Sequence, residues 1–347
     1  MLEEGRTLTE TAVLQEPAGE PTPVRTDHAP PPGQAVLKFI TRFGLLLMLG
    51  VVIAIFGILE PNSFFTIANA RSTASIAAPL IILAVALTVP LGLGEFDLSI
   101  GNGAQLSGAV LIWLISNQGL PWLGSIGIVV AAAALMGLLV GTIVVKSQVN
   151  AFIITLGAGT IFAGLEFGIM RGVTLYDGIP VEFTELAVGR TLGVPNAVWI
   201  AAVFALLVWV GMERTVVGRR MRAAGGNPEA ARLAGVRVDV LRASGFVVSA
   251  VGASVAAVIL MAQSASYYPN SAVALLLPTY AACFLGTTAF RSNIFDVAGT
   301  LVGAAFLAVV QSGLIMIGVQ SWIAQIVQGS LLIAAVVLSK AASRGAA

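Results

Sequence analysis

The chain has 347 residues, 57% of them hydrophobic and 10% charged, and its 18 Lys and Arg against 17 Asp and Glu leave a formal charge of +1. Soluble chains carry roughly 25% charged residues, so a mean hydropathy of +0.95 over this length excludes an ordinary water-soluble fold. The same balance gives no reason to expect nucleic-acid binding, and the useful count is of membrane spans of about 20 apolar residues each.

Residues 1–37 open the chain, and residues 1–35 hold six acids, two Arg and six Pro without apolar periodicity. Such a segment cannot bury enough surface to offset its ordering entropy, so a disordered cytoplasmic tail is predicted. It holds the only histidine, His28. No His/Cys metal cluster or His-dependent triad is therefore expected in the folded part.

A transmembrane domain is predicted over 38–340. Ten apolar runs lie near 40–59, 72–91, 98–116, 122–145, 150–170, 197–212, 243–263, 272–290, 297–317 and 320–339. Pro79, Pro90 and Pro278 interrupt some of them, which membrane helices tolerate when neighbours satisfy the freed backbone groups. Between the second and third runs stands Gly94-Glu95-Phe96-Asp97-Leu98-Ser99-Ile100-Gly101, a Gly-rich turn with two carboxylates near hydrocarbon. Two readings stay open there: Asp97 caps the next helix with support from Ser99, or the turn is a break lining a cavity or gate. In the fifth run Glu166 lies toward the outer end, either snorkelling to the interface or meeting Arg171.

The outer connection 171–196 carries Asp177, Glu182 and Glu185 among Gly and Pro and is long enough to pack as a lid or docking surface. The inner connection 213–242 carries seven Arg against three acids. Within it, Asn227 suits a helix N-cap, Pro228 the first helical position, Glu229 the positive helix end, and Gly235 the stop. This pattern predicts a helix of about two turns between two spans. Cys283, the single cysteine, falls in an apolar run and reads as a packed small side chain. A short cytoplasmic tail, 341–347, ends the chain.

Orientation follows from the basic residues. With ten spans and a cytoplasmic N-terminus, only Arg71, Arg171 and Arg190 fall outside, leaving fifteen of the eighteen inside. The predicted fold is an all-α polytopic membrane protein of about ten transmembrane helices with both termini cytoplasmic.

The run AAGGNPEAARLAGV at 223–236 resembles the cytoplasmic coupling segment of the ABC-importer permeases for ribose, xylose, galactose and related sugars, relatives of the branched-chain amino-acid permeases. Three further stretches are similar to that family in order: GEFDLSIG at 94–101, where the family has Gly-Gly-Ile-Asp-Leu-Ser-Val-Gly; VNAFIITLGAGTIFAGL at 149–165; and the run 299–336. The likeness covers about 70–339, and Glu95 departs from it by replacing a glycine.

The resemblance implies a division of labour: a permease dimer, expected to be a homodimer, forms the path through the inner membrane of a prokaryote. Separate ATPase subunits dock on its cytoplasmic face, and an external solute-binding protein delivers a monosaccharide. The chain has no Gly-Lys pair and hence no P-loop, so no cofactor is expected in it; ATP and Mg belong to the partner, and the chain is not itself an enzyme. The family pattern makes Gly225, Gly226, Asn227, Pro228, Glu229, Ala230, Ala231 and Gly235 the coupling helix, with Arg222 and Arg232 free to pair with acids on the ATPase. Pathway or gate candidates are Glu95, Asp97, Ser99, Asn102, Gln105, Asn150, Glu166, Gln325 and Gln328; Thr155, Gln263, Gln311 and Trp322 are further polar or aromatic groups in or beside spans. Each of these serves equally to hold helices together. An inverted repeat is implied by the family. The visible match is one of spacing only, Pro79 to Phe96-Asp97 and Pro278 to Phe295-Asp296, and those hairpins would point the same way. The competing reading is an ion-coupled secondary transporter, for which Glu95, Asp97 and Glu166 are the available acids. An intramembrane enzyme lacks a histidine and a suitably placed second carboxylate.

Overall fold

The structure, a computed structural model, describes residues 32–289 and 294–344. The predicted N-terminal tail lies outside the described residues up to residue 31, and residues 345–347 of the C-terminal tail likewise. Each of the ten apolar runs contains a helix: α1 (Pro32–Leu59), α2 (Ile67–Gly92), α3 (Ser99–Ser116), α4 (Trp122–Ser147), α5 (Ala151–Met170), α7 (Asn196–Arg214), α10 (Val238–Ser264), α11 (Leu276–Gly286), α12 (Val297–Met316) and α13 (Ser321–Arg344). Among the described residues six of these, α2, α4, α5, α7, α10 and α12, are long and apolar enough to cross a membrane.

In the run expected as a span at 272–290, the described residues form a 3-10 turn, Val273–Leu275, leading directly into the eleven-residue α11. Turn and helix are continuous over Val273–Gly286 and cover about 22 Å, short of a hydrocarbon core of about 30 Å. An added Cβ at the helix's C-terminal Gly286 would sit 2.6 Å from the Gly299 carbonyl carbon, so α11 lies directly on the first turn of α12.

α2 and α10 form the centre. Of the most apolar stretch of each helix, 78% is buried in α2 and 67% in α10, against 11% in α5. α10 packs against α4, α2 and α3; α2 also meets α12 and α7; α3 meets α5. The α4–α10 contact is set by Gly137 and Gly141, four residues apart on one face. A Cβ at Gly137 would fall 2.6 Å from the Phe246 carbonyl, and one at Gly141 would fall 2.8 Å from that of Ala243. Small residues at this spacing let helix backbones touch, which is how membrane helices gain packing energy without a hydrophobic drive between them. Cys283 is fully buried, as its apolar setting predicts, and its thiol donates to the Ala84 carbonyl at 3.2 Å.

The outer connection is ordered. It holds α6 (Val181–Val188), whose Phe183 and Ala187 are fully buried, then a ribbon of β1 (Arg190–Thr191) and β2 (Val194–Pro195) paired antiparallel. Leu192 and Gly193, at φ 54° and 77°, make its tight turn, the positive-φ pair that suits two-residue hairpins. The inner connection holds α8 (Val216–Gly226) and α9 (Pro228–Leu233).

Candidate functional site

Two polar clusters lie at opposite ends of the central helices. The first is the break between α2 and α3. α2 stops at Gly92 because Gly94 turns left-handed at φ 82°, returning its own N–H and that of Glu95 to the carbonyls of Leu91 and Pro90. The next residues have no helical partners of their own and are held from outside. Thr155 Oγ1 on α5 accepts from the Leu98 N–H at 3.1 Å and lies 3.2 Å from the Phe96 carbonyl. Asp97, 2% exposed, accepts from the Ser99 N–H at 3.0 Å, Ser99 Oγ at 2.5 Å and Ser249 Oγ of α10 at 2.6 Å. Asp97 thus bonds the first residue of α3, a helix whose N-cap is Leu98 with no side-chain cap bond of its own, and a third bond reaches across to α10.

Glu95 is equally engaged. Arg242 Nε on α10 donates to Glu95 Oε1 at 2.5 Å, with the glutamate side chain 9% and the arginine 24% exposed. Phe96, between these acids, is 40% exposed, and its ring stacks on Tyr280 and Phe284 at centroid distances of 6.3 and 6.5 Å. Phe295 meets the same Phe284 at 5.4 Å, while Asp296 caps α12 through the Gly299 N–H at 2.6 Å. The equal Pro-to-Phe-Asp spacings thus place two Phe-Asp pairs at one face, around one aromatic side chain.

On that face lies the α8–α9 pair. Thr215 caps α8 through the Gly218 N–H, and Asn227 ends α8 and caps α9, its Oδ1 accepting from the Ala230 N–H at 3.0 Å. Gly235, at φ 79°, closes α9, donating to Arg232 while Val236 donates to Ala231. The local pattern read at Asn227, Pro228 and Gly235 is realised, in a six-residue helix; α8 is an element that reading did not separate. The coupling candidates divide by exposure. Gly226, Asn227, Pro228, Glu229, Ala230, Arg232 and Gly235 are exposed, whereas Ala231 is buried and Gly225 backs onto α2. Arg222 pairs with Glu213 at 2.6 Å, and Arg232 with Asp239 at 2.7 Å across an exposed gap. A cavity of about 360 Å³ between α8 and the break is lined by Gly92, Gly94, Arg222, Gly225, Gly226 and Phe295, among others.

The second cluster is at the other end. Gln105 of α3, 3% exposed, donates to Tyr267 Oη at 3.0 Å and the Tyr268 carbonyl at 3.1 Å, and accepts from the Ala272 N–H at 2.8 Å and Ser271 Oγ at 3.2 Å. The fully buried Tyr267 donates from its hydroxyl to Glu166 of α5, and its backbone pairs with Leu175 of the outer connection. Glu166 thus meets a tyrosine from a distant loop, where the sequence offered Arg171 or water.

The other polar candidates are dispersed. Asn102 is half-buried against Gly159 of α5, and Asn150 is the exposed N-cap of α5, accepting from Phe152. Gln263 bonds Ser75, Trp322 bonds Gln320, Gln325 is exposed, and Gln328 approaches Gln311 at 3.5 Å. Sequence reasoning missed Ser249 and Tyr267, and it counted Arg242 only as a topogenic charge. It also passed over Leu233, which is 92% exposed at the end of α9. A leucine closing a capped helix on a basic face was a signal available for that last residue; for Ser249 there was none.

The profile of the family described as branched-chain amino acid transport system / permease component matches residues 69–336. The chain is 34% identical over 304 residues to the ribose import permease protein of Escherichia coli strain K12, covering 84% of this chain and 92% of that protein. It is 30% identical over 316 residues to the D-allose transport system permease protein of the same organism, covering 88% and 94%. An L-arabinose ABC transporter permease protein of Azospirillum brasilense is 28% identical over 308 residues, covering 88% and 89%. No solved structure matches the chain.

Proposed function

The chain belongs to the family of branched-chain amino acid transport system permease components, and from that premise we propose that it is the membrane-spanning subunit of an ATP-binding-cassette importer carrying a monosaccharide. It spans the membrane about ten times with both termini in the cytoplasm, the arrangement that puts fifteen of its eighteen basic residues inside. Two copies form the path in a prokaryotic inner membrane; separate ATPases supply the energy with ATP and Mg, and a solute-binding protein delivers the sugar outside.

The observation that carries this reading is α9. A six-residue helix, capped at both ends, stands exposed on the face holding the seven arginines of 213–242, with Leu233 bare at its tip. Of its side chains only Ala231 is buried, so most of the helix faces outward, as a partner that must push on the membrane domain requires. Gly226, Asn227, Glu229, Ala230 and Leu233 are the contact, and Ala231 and Gly225 root it in the body. The Asp97 break and the Gln105–Tyr267–Glu166 cluster are the inner and outer closures of the path.

The test is uptake of radiolabelled ribose, allose and arabinose into vesicles holding this chain with and without its ATPase and binding protein. Uptake that requires both partners and ATP is expected. Gradient-driven uptake by the chain alone would overturn the importer reading in favour of ion-coupled transport.

A further inference from the structure

We propose that the Glu95–Arg242 ion pair is a positioning device for transport, tying the α2–α3 break to α10 where α8 packs on the same break, so that displacement of α8–α9 carries break and α10 together. The inference rests on the importer reading, since that is what gives α8–α9 something to move it.

The argument begins with cost. Glu95 is buried and Arg242 partly so, their side chains 9% and 24% exposed, and an ion pair drawn even partly out of water generally contributes no more to stability than apolar side chains of the same size. Stability alone therefore gives little reason for Glu95 and Arg242 to meet. Glycine at position 95 would have carried no such cost.

Placement gives a better reason. On one side of the pair, a Cβ at Gly225 of α8 would fall 3.1 Å from the Gly92 carbonyl carbon and 3.3 Å from Leu93 Cα, so helix backbone rests on the end of α2 with no side chain between. On the other, Gly245 of α10 packs on Leu93, and Ser249, two turns beyond Arg242, bonds Asp97. α10 thus holds the break at three levels, through Arg242 to Glu95, Gly245 to Leu93 and Ser249 to Asp97. Phe96 follows Glu95 directly and carries a half-exposed ring. Without the pair, α8 could press on Gly92 while residues 94–96 yielded about the flexible Gly94; with it, the push reaches Phe96.

The experiment compares wild type, Glu95→Gln and the double variant Glu95→Met/Arg242→Met, each reconstituted with the ATPase and binding protein. Membrane level, ATP hydrolysis and uptake of the sugar that wild type transports are the readouts. Removing the glutamate leaves the partly buried Arg242 without its acid, so E95Q is expected at somewhat reduced level with uptake lowered roughly tenfold or more per molecule. The double variant removes both charges and is expected at wild-type level, still hydrolysing ATP, with uptake down by about the same factor. That uncoupling is what a merely structural pair would not give. Wild-type uptake per molecule by the double variant overturns the inference while leaving the importer reading intact; absence of ATP-dependent uptake by wild type overturns both.

Discussion

Gly225 and Gly226 are neighbours in the last turn of α8, and alanine at each should have opposite effects. At Gly225 the new methyl meets the backbone of Gly92 and Leu93, neither of which can rotate aside. Overpacking of this kind costs about 1–3 kcal/mol, with the rigid neighbours placing it toward the upper end. Alanine's better helix propensity offsets about 0.8–1 kcal/mol of that, leaving a net loss near 2 kcal/mol. At Gly226 an added Cβ meets nothing within 4 Å and the backbone is not left-handed, so only the propensity gain operates. Thermal unfolding of the detergent-solubilised protein is the assay. At roughly 2–4 °C per kcal/mol, G225A should melt about 4 °C or more below wild type and G226A at or slightly above it. Equal melting of the two variants, or a G225A protein as stable as wild type, would refute the claimed backbone contact between α8 and α2.

Leu233→Asp should leave the melting temperature unchanged, because the side chain is 92% exposed, yet weaken binding of the ATPase by about tenfold or more, the worth of burying one leucine; pull-down with purified ATPase would detect it. Asn227→Ala removes the acceptor of the Ala230 N–H and should cost about 1 kcal/mol, seen as roughly fivefold faster hydrogen exchange at Ala230; Asn227→Ser should restore most of the protection. Gln105→Leu leaves the buried Ala272 N–H without its acceptor, at about 1–3 kcal/mol. A melting temperature within a degree of wild type would show that the outer cluster is not held by Gln105.

Much of the fold is legible in the sequence because lipid allows few alternatives. A run of apolar residues in lipid becomes helix to satisfy its own backbone, so all ten runs contain one, although composition alone did not reveal how short the helix at Val273–Gly286 is. Nor did it show that Gly286 and Gly299 touch, a contact between two helices. α9 was equally legible, since every bond that defines it, from Asn227 to Ala230 and from Gly235 back to Arg232, spans three residues. Glu95 was the opposite case. It stood out as a departure from the family's glycine, and nothing near it in sequence explained it.

What the sequence determined by itself was therefore the helical elements, the crowding of seven arginines into residues 213–242 and the shape of the short capped helix, the helices being consequences of interactions within a turn or of each segment's own solvent. The tertiary structure alone decided which polar groups meet. Arg242 reaches Glu95 across 147 residues, Ser249 reaches Asp97 across 152, and Gln105 reaches Tyr267 across 162. Such pairings depend on how α10 crosses α2 and α3, and that crossing is set by glycine contacts whose partners no local pattern names.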